Sequence, residues 1–265
     1  MTAESPGNPA TLFAVAGKTV LVTGGSRGIG YMIAHGFLAA GAKVYVSARK
    51  ADACERAAAQ LAANGPCVAV PADVATAAGV EALAGAIAAR EGALHVLVNN
   101  AGATWGAPLE EYPESAFDKV LGINVKAPFA LTVALLPLLR AAASDADPAR
   151  VINVGSVDGI AVPVQETFAY SSSKAALHML TRHLALRLAG EKITVNAIAP
   201  GPFDSKMMAF LLDNPESRSL VAQHVPLGRI GRPDDVAGVS LFLASRAGSY
   251  VTGAVIPVDG GLTAR

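Results

Sequence analysis

The sequence has no excess of charge of either sign, since 21 lysine and arginine residues are balanced by 21 aspartate and glutamate residues. A general nucleic-acid-binding protein carries a basic surplus or a basic stripe, so the composition argues against nucleic acid as a partner. Charged residues make up only 16% of the 265 residues, whereas hydrophobic residues make up 52%. A chain of this length and composition can bury a sizeable core, in one large domain or two small ones.

Cysteine is also scarce, with only Cys54 and Cys67 in the chain. Two cysteines without metal-ligand spacing provide no disulfide framework, so we expect two free thiols in a reducing compartment. The histidines are His35, His95, His178, His183 and His224. No pair of them has neighbouring carboxylates at metal spacing, so we interpret them as packing or surface residues and predict no metal site.

The sequence also shows neither a typical signal peptide nor a typical membrane span. The first residues have no basic start and no long apolar run, and we expect residues 1–11 to form a flexible arm. The longest uncharged apolar helical candidate, residues 127–139, is shorter than the roughly 17–25 residues that cross a bilayer. We therefore predict a soluble, cytoplasmic protein with no membrane contact.

What the sequence does contain is a regular alternation of short β-branched runs and longer alanine-rich segments of helical period. Seven runs are predicted strands, and they lie within residues 18–25, 42–49, 67–74, 94–102, 150–156, 193–201 and 253–261. Their continuous Val, Ile and Leu residues favour a parallel sheet that is buried on both faces. The β-α alternation indicates a single doubly wound α/β domain of Rossmann type over residues 12–265, with helices on both faces.

Three longer segments add detail to this pattern. A long helix is predicted from about residue 114 to residue 140. Residues 141–150 are predicted to form a surface loop. Residues 201–226 are long for a connection inside a compact domain, and we interpret them as an active-site lid.

Three glycines, Gly24, Gly28 and Gly30, lie between the first predicted strand and the first predicted helix. Glycine permits a tight turn and close approach of the backbone to a pyrophosphate, while a helix N-terminus favours the phosphate charge. The spacing G-x-x-x-G-x-G differs from the familiar G-x-G-x-x-G, but a strand before it and a helix after it support the same function. The turn therefore predicts a dinucleotide site.

A tyrosine and a lysine four residues apart, Tyr170 and Lys174, open an apolar helical segment. Residues i and i+4 share one helix face, so the two polar ends can meet over one ligand. A lysine ammonium lowers the pKa of a neighbouring tyrosine, which otherwise lies near 10, and so lets it cycle as acid and base. Taken alone, such a pair is more often part of an ordinary amphipathic helix.

Five motifs then occur in the order found in the short-chain dehydrogenase/reductase family. They are TGGSRGIG at 23–30, NNAG at 99–102, Ser156 after the fifth strand, YSSSK at 170–174 and APG at 199–201. The chain resembles this family from about residue 13 to residue 262. The resemblance implies a Rossmann fold and hydride transfer between a nicotinamide ring and a carbonyl or alcohol carbon.

The resemblance also implies four catalytic residues. Tyr170 would be the acid and base, and Lys174 would lower its pKa and hold the nicotinamide ribose hydroxyls. Ser156 would hydrogen-bond the substrate oxygen, and Asn124 would support a water-mediated proton relay behind the lysine. The chain departs from the family pattern twice: Ser156 and Tyr170 lie one residue further apart than is commonest, and Ser205 replaces a threonine near the cofactor amide.

The cofactor-binding residues that the resemblance implies are Gly24, Ser26, Arg27, Gly28, Ile29, Gly30, Arg49, Asp73, Val74, Asn100, Ala101, Gly102, Tyr170, Lys174, Pro200, Gly201, Phe203 and Ser205. Asp73 matches the acid that meets the adenine amine. NAD-preferring Rossmann proteins usually place an acid at the end of the second strand, where this chain has Ala48 followed by Arg49. An acid would repel a 2′-phosphate, so its absence, with Arg49 and Arg27 nearby, favours NADP(H).

Within the family, the motifs are most similar to NADPH-dependent β-ketoacyl (3-oxoacyl-acyl-carrier-protein) reductases of the rhamnolipid-pathway type. That similarity implies reduction of a 3-oxoacyl thioester to its 3-hydroxy form, and a homotetramer. The acyl chain would meet an apolar wall formed by Trp105, Phe203, Met207, Met208 and Phe210. Two alternatives stay open: an NADP-linked dehydrogenase of a sugar acid, polyol or other secondary alcohol, and, with less support, a dinucleotide-binding sensor without catalysis.

Overall fold

The computed structural model describes residues 8–264, apart from the side chains of residues 9, 10, 210 and 211. Pro9–Leu12 form a single helical turn, α1, so regular structure begins three residues before the boundary predicted near Leu12. Residues 1–7 make up most of the flexible arm expected over residues 1–11, and they lie outside the described residues.

All seven predicted strands are present, and they form one parallel sheet. They are β1 (Thr19–Thr23), β2 (Lys43–Ser47), β3 (Cys67–Ala69), β4 (Val96–Asn99), β5 (Ala149–Val154), β6 (Ile193–Pro200) and β7 (Val255–Val258). Their order across the sheet is β3-β2-β1-β4-β5-β6-β7, so the winding direction reverses between β1 and β4. Ligands of open α/β sheets bind in the crevice outside the carboxyl ends of the strands at such a reversal.

Helices cover both faces of the sheet. They are α2 (Gly28–Ala39), α3 (Ala51–Leu61), α4 (Ala77–Ala88), α5 (Glu114–Leu121), α6 (Ala127–Ala142), α7 (Phe168–Leu188), α8 (Ala209–Leu212), α9 (Pro215–His224) and α10 (Pro233–Ala244). Successive strand residues point to opposite faces. In β1, Val20 and Val22 join the core beneath α2 and α10, whereas Leu21 joins the core beneath α4 and α6. Both faces are therefore buried, as the uninterrupted aliphatic strands predict.

The long helix predicted over residues 114–140 is interrupted. Helices α5 and α6 are joined by a π-helical turn, Gly122–Lys126. Pro128 lacks the N–H that an α-helix would donate to the carbonyl of Asn124 four residues earlier, which explains why the helix widens here. The Asn124 side chain lies inside the protein and is 1% exposed.

Helices α5 and α6 with the turn between them form an apolar helical run of 29 residues, Glu114–Ala142, longer than the apolar segment recognised from the sequence. By length and composition alone, this run could cross a bilayer. Leu131, Leu135 and Leu139 in it are buried in the core of the sheet. A core helix of a soluble protein passes the same test, so the run is weak evidence for a membrane span.

The two long connections have more structure than their sequences indicate. In the predicted surface loop before β5, Asp147 accepts hydrogen bonds from Lys18 and from the buried Arg150, which ties the amino ends of β1 and β5 together. The predicted lid after β6 contains α8 and α9. The Asn214 side chain caps α9 by accepting hydrogen bonds from the first backbone N–H groups of that helix.

Candidate active site

The turn after β1 is shaped by glycines where a larger residue would be strained or would clash. Gly24 and Gly28 have φ angles of +66° and +56°, in the left-handed region that favours glycine. A Cβ atom at Gly30 would lie 2.3 Å from Nδ2 of Asn100 and 2.5 Å from the Gly24 carbonyl oxygen. The Asn100 amide donates to the Thr23 carbonyl at 2.8 Å, so the ends of β1 and β4 hold the turn together.

The first turn of α2 is suited to an anion. The residue at its cap, Arg27, forms no side-chain capping hydrogen bond, and the first turn contains no acidic residue. The backbone N–H groups of this turn can therefore bind a phosphate, whose charge the helix dipole also favours. A Cβ atom at Gly28 would lie 3.2 Å from Cβ of Ser205, so the segment after β6 reaches the same turn. These residues fit the pyrophosphate of a dinucleotide.

The other predicted cofactor residues outside α7 lie along the same edge of the sheet. They are Ser26 and Ile29 after β1, Arg49 after β2, Asp73 and Val74 after β3, Ala101 and Gly102 after β4, and Pro200, Gly201 and Phe203 at or after the end of β6. Arg49 is exposed and forms no ion pair with any residue of the described range. An unpaired guanidinium beside the uncharged Ala48 suits a 2′-phosphate.

Three predicted catalytic residues come together at the carboxyl end of β5. Ser156 follows this strand, and its Oγ accepts a hydrogen bond from the Asp158 N–H at 3.2 Å. Tyr170 and Lys174 lie on the first turns of α7, with the lysine Nζ 5.5 Å from the centre of the tyrosine ring. Nζ donates a hydrogen bond to the Val154 carbonyl at 2.7 Å, which fixes the lysine against the end of β5.

The pKa of the Tyr170 phenol lies above its ordinary value. It is raised to about 12, mainly because the phenol is buried; a hydrogen bond with Ser156 lowers it in part, and the Asp158 carboxylate adds a smaller rise. Burial outweighs the hydrogen bond with Ser156 that favours the tyrosinate. The part that Lys174 plays in lowering this pKa during the reaction stays a prediction. The phenol is protonated at neutral pH.

The pKa of Lys174 is lowered to about 8 because its ammonium is buried. The Asp158 carboxylate opposes this effect and raises the pKa of the lysine. Burial raises the pKa of Asp158 itself, and the Lys174 charge lowers it. The site therefore holds a protonated phenol and an ammonium that titrates close to neutral pH, with the Asp158 carboxylate as a compensating charge.

Asn124 uses its side-chain amide fully in hydrogen bonds. Its Oδ1 accepts from the Ala103 N–H, and its Nδ2 donates to the Ala103 carbonyl and to Oγ of Ser173, each at 2.9 Å. Ser173 in turn donates to the Tyr170 carbonyl at 2.7 Å. The Asn124 amide therefore links the segment after β4 to the turn of α7 that contains the tyrosine.

Three residues at the site were not recognised from the sequence. Ser173 lies within the YSSSK motif, Asp158 lies two residues after Ser156, and His178 lies four residues after Lys174. Their short spacing from predicted catalytic residues was the one signal that could have identified them. Among residues 8–264, no group of three histidine, cysteine, aspartate or glutamate side chains could hold a metal ion.

The predicted acyl wall is only partly accessible. Trp105 and Met207 are exposed by 37% and 38%, and Met208 is half-buried. Phe203 is instead packed into the hydrophobic core, so it offers no accessible surface to an acyl chain. The side chain of Phe210 lies outside the described part of the structure.

Comparisons with known proteins agree with this arrangement. The model of a family described as enoyl-(acyl carrier protein) reductase matches residues 24–263. A rhamnolipids biosynthesis 3-oxoacyl-[acyl-carrier-protein] reductase from Pseudomonas aeruginosa is 51% identical over 249 residues, which cover 94% of this chain and 97% of that protein. This chain is a short-chain dehydrogenase/reductase.

Two further comparisons place this short-chain dehydrogenase/reductase within its family. A solved structure described as the Pseudomonas aeruginosa RhlG/NADP active-site complex matches with a TM-score of 0.93 and 50% identity, covering 96% of this chain and 99% of that chain. A galactitol 2-dehydrogenase (L-tagatose-forming) from Cereibacter sphaeroides is 37% identical over 256 residues, 96% of this chain and 98% of that protein. The family and the Rossmann fold expected from the five motifs are confirmed.

Proposed function

We propose that this protein reduces a 3-oxoacyl thioester to the corresponding 3-hydroxyacyl thioester with NADPH. The observation that carries the proposal is the convergence of Ser156, Tyr170 and Lys174 at the carboxyl end of β5, on the same edge of the sheet as the glycine turn, in a chain 51% identical to a 3-oxoacyl reductase. A fold of this type does not select a substrate. The site geometry therefore supports the reaction, and the similarity supports the thioester.

The cofactor would supply the hydride that is added to the carbonyl carbon. The glycine turn and the first turn of α2 would hold its pyrophosphate, and Asp73 would meet its adenine amine. The exposed side chains of Arg27 and Arg49 would bind the 2′-phosphate. Lys174 would hold the nicotinamide ribose. The similar RhlG structure is described as an NADP complex, which supports the same choice of cofactor here.

Tyr170 is the proposed proton donor. Once hydride had been added to the carbonyl carbon, the carbonyl oxygen would carry negative charge, and the Tyr170 phenol O–H would give its proton to that oxygen. The Ser156 Oγ already accepts from the Asp158 N–H, so its own O–H can donate to the same carbonyl oxygen. Lys174 stabilises the tyrosinate that is left, and a proton from water restores the phenol.

Asn124 supports this proton transfer from a distance. Its hydrogen bonds to Ala103 and Ser173 hold the first turns of α7 in place, so that the tyrosine faces Ser156. The water-mediated relay expected from the family resemblance stays a prediction, and Asn124 and Lys174 are the residues that it would use.

The chain that connects two of the site residues offers apolar surface, which would suit an apolar substrate. The loop between Ser156 and Tyr170 presents Val162 and Val164, which are exposed by 96% and 98%. Contact with an acyl chain would remove this apolar surface from water, whereas a sugar acid would gain little from it. The lid over residues 201–226, with α8 and α9, would close over the chain and exclude water.

We also propose that residues 12–265 form one domain and that the protein is a cytoplasmic homotetramer. One sheet with a core on each face supports a single domain. Free thiols at both cysteines suit a reducing compartment. Exposed apolar side chains along α5 and α6, among them Phe129 and Val133, support association with further copies.

Oxidation of NADPH, followed by absorbance, tests the proposed substrate. Acetoacetyl-CoA and a longer 3-oxoacyl thioester are compared with 5-ketogluconate, tagatose and simple ketones, each with NADPH and with NADH. We expect turnover of the thioesters with a preference for NADPH. If no thioester is turned over but a sugar ketone is reduced, the result would favour the sugar or polyol alternative. The similarity to galactitol 2-dehydrogenase points to that alternative.

A further inference from the structure

His178 is a buried histidine at the site that the proposed proton transfer does not use. It lies on α7, four residues after Lys174 and eight after Tyr170, and therefore on the same helix face. Its side chain is 5% exposed, and Nε2 has no hydrogen-bond partner among the described residues. A buried polar atom without a partner is costly, so this position needs a specific explanation.

The imidazole lies between the two glycines that flank Ser156. A Cβ atom at Gly155 would lie 2.2 Å from the ring Nε2, and a Cβ atom at Gly159 would lie 2.8 Å from the ring Cε1. These distances are too short for real atoms, so Gly155 must be glycine while the histidine is present. At Gly159 a Cβ atom would also lie 2.7 Å from the Lys174 carbonyl carbon, so the backbone of α7 requires glycine there as well. The ring therefore lies against both Gly155 and Gly159, which stand on either side of Ser156 in the chain.

One ring nitrogen binds the backbone of the same segment. His178 has the Gly159 backbone as a hydrogen-bond partner, and because Nε2 has no partner within residues 8–264, the ring nitrogen that faces Gly159 is Nδ1. Burial lowers the pKa of His178 to about 4, and the charges of Lys174 and Arg182 also lower it. The ring is therefore neutral at pH 7, and its single N–H donates to the Gly159 carbonyl.

The segment held by this ring contains the site hydroxyl. Val157–Gly159 form a short 3-10 turn in which the Gly159 N–H donates to the Ser156 carbonyl at 3.1 Å. On the other side of the serine, the Gly155 N–H donates to the Ile198 carbonyl at 2.7 Å, which anchors it to β6. A shift of this segment against α7 would change the distance between the Ser156 hydroxyl and the Tyr170 phenol.

We propose that His178 is a positioning residue whose neutral imidazole fastens residues 155–159 to α7 and so fixes Ser156 relative to Tyr170 and Lys174. The inference rests on the proposed function, because it concerns the same site. A flat ring fits between two glycines, and it donates a hydrogen bond without adding a charge near Lys174. A leucine would fill much of the space but could not donate, and an arginine would add a charge.

The test compares three substitutions of His178. His178→Leu removes the donor, His178→Asn places an amide nitrogen near the position of Nδ1, and His178→Gln places it near the position of Nε2. We expect the leucine variant to lose roughly 10- to 100-fold in kcat, because a displacement of about 1 Å costs this much in an aligned site. The Kd for NADPH should not change. The asparagine variant should recover most of the kcat, and the glutamine variant should not.

A double-mutant cycle with Ser156→Ala separates positioning from general loss of structure. If His178 acts through the serine hydroxyl, His178→Leu should cause little further loss of kcat in the Ser156→Ala background. The inference would be overturned if the kcat losses of His178→Leu and Ser156→Ala multiply in the double variant. It would also be overturned if the leucine variant is as active as the wild type, or if the asparagine variant is no more active than the leucine variant. If the leucine variant fails to fold, judged by NADPH binding, equal kcat values for the asparagine and glutamine variants would overturn it.

The kinetics are measured on whichever carbonyl compound the wild type reduces, so the two proposals can fail separately. If the wild type reduces a sugar ketone but no thioester, the proposed substrate is wrong, and the His178 variants can still be compared on the sugar ketone. Thioester turnover that is unaffected by His178→Leu would remove the positioning role and leave the proposed function in place.

Discussion

At the scale of single residues, burial decides the charge state of the site more strongly than the Tyr–Lys spacing does. Spacing along α7 correctly predicts that Tyr170 and Lys174 share a face, since the lysine Nζ lies 5.5 Å from the ring centre. It does not predict the pKa values, because these depend on how much water the surrounding elements exclude. Burial raises the pKa of the phenol to about 12 and lowers that of the lysine to about 8.

These shifts predict the pH dependence of the reduction. The kcat/KM value reports ionisations of the free enzyme. Above about pH 8, Lys174 loses its proton and can no longer stabilise the tyrosinate, whereas Tyr170 stays protonated up to about pH 12. We therefore expect kcat/KM to fall as pH rises through about 8, measured as initial rates of NADPH oxidation between pH 6 and pH 10.

Asp158 should set the pH at which kcat/KM falls. Its carboxylate raises the pKa of Lys174, so Asp158→Asn should lower that pKa, and kcat/KM should then begin to fall at a lower pH. Asp145→Asn removes the same charge from an exposed loop at the opposite edge of the sheet and serves as the control. The role would be contradicted if the pH at which kcat/KM falls is unchanged in the Asp158 variant, or if it shifts equally in both variants.

Arg49 should determine the preference between the two nicotinamide cofactors. It is exposed and unpaired within the described residues, so its guanidinium is available for a 2′-phosphate. A hydrogen bond to a charged group contributes roughly 1.5–3 kcal/mol, so Arg49→Ala should raise the KM for NADPH by roughly 10- to 100-fold. The KM for NADH should change little. Arg246→Ala, beyond α10, is the control, and equal effects on both cofactors would refute the assignment.

At the scale of elements, the sequence predicts regular periods well and local irregularities poorly. The seven aliphatic runs and the glycine turn after β1 were correctly predicted, because burial on both faces leaves a clear pattern. The π turn Gly122–Lys126 was missed, since the residues on both sides of it have ordinary helical periodicity. Asn124 lies within that one irregular turn.

The loop between Ser156 and Tyr170 gives a prediction about chain length. Val162 and Val164 are almost fully exposed, and burying part of two valines against an acyl chain contributes roughly 1–2 kcal/mol. The double variant Val162→Ser/Val164→Ser should therefore raise the KM for a ten-carbon 3-oxoacyl thioester roughly tenfold, and leave that for acetoacetyl-CoA nearly unchanged. Phe13→Ser, an exposed apolar residue before β1, is the control. Equal KM changes for both substrates would contradict contact with the chain.

At the scale of the whole molecule, the order of strands determines where the chemistry takes place. The sheet reverses its winding between β1 and β4, and the predicted cofactor residues outside α7 follow the carboxyl ends of its strands. This position follows from the alternation of strands and helices together with the family motifs. The partners of Asn124 and His178 could not be predicted, because they come from segments far apart in the sequence.

Association of copies is a second property of the whole molecule. Phe129 and Val133 on α6 are each nearly half exposed, next to further apolar side chains on α5. Phe129→Glu would place a charge in an apolar contact and should split the tetramer into smaller species. Light scattering after size-exclusion chromatography should give four times 26.8 kDa for the wild type and less for the variant. Leu220→Glu on α9 is the control, and a wild type of monomer mass would contradict the proposed assembly.

The most direct test of this account is the rate of NADPH oxidation with a 3-oxoacyl thioester, measured side by side for the wild type and Tyr170→Phe. The wild type should turn over, and the variant should lose roughly 10²- to 10⁴-fold in kcat with an unchanged Kd for NADPH, because only the proton donor has been removed. If both proteins bind NADPH tightly and neither reduces any carbonyl compound, the chain is a dinucleotide sensor and the proposed catalysis is wrong.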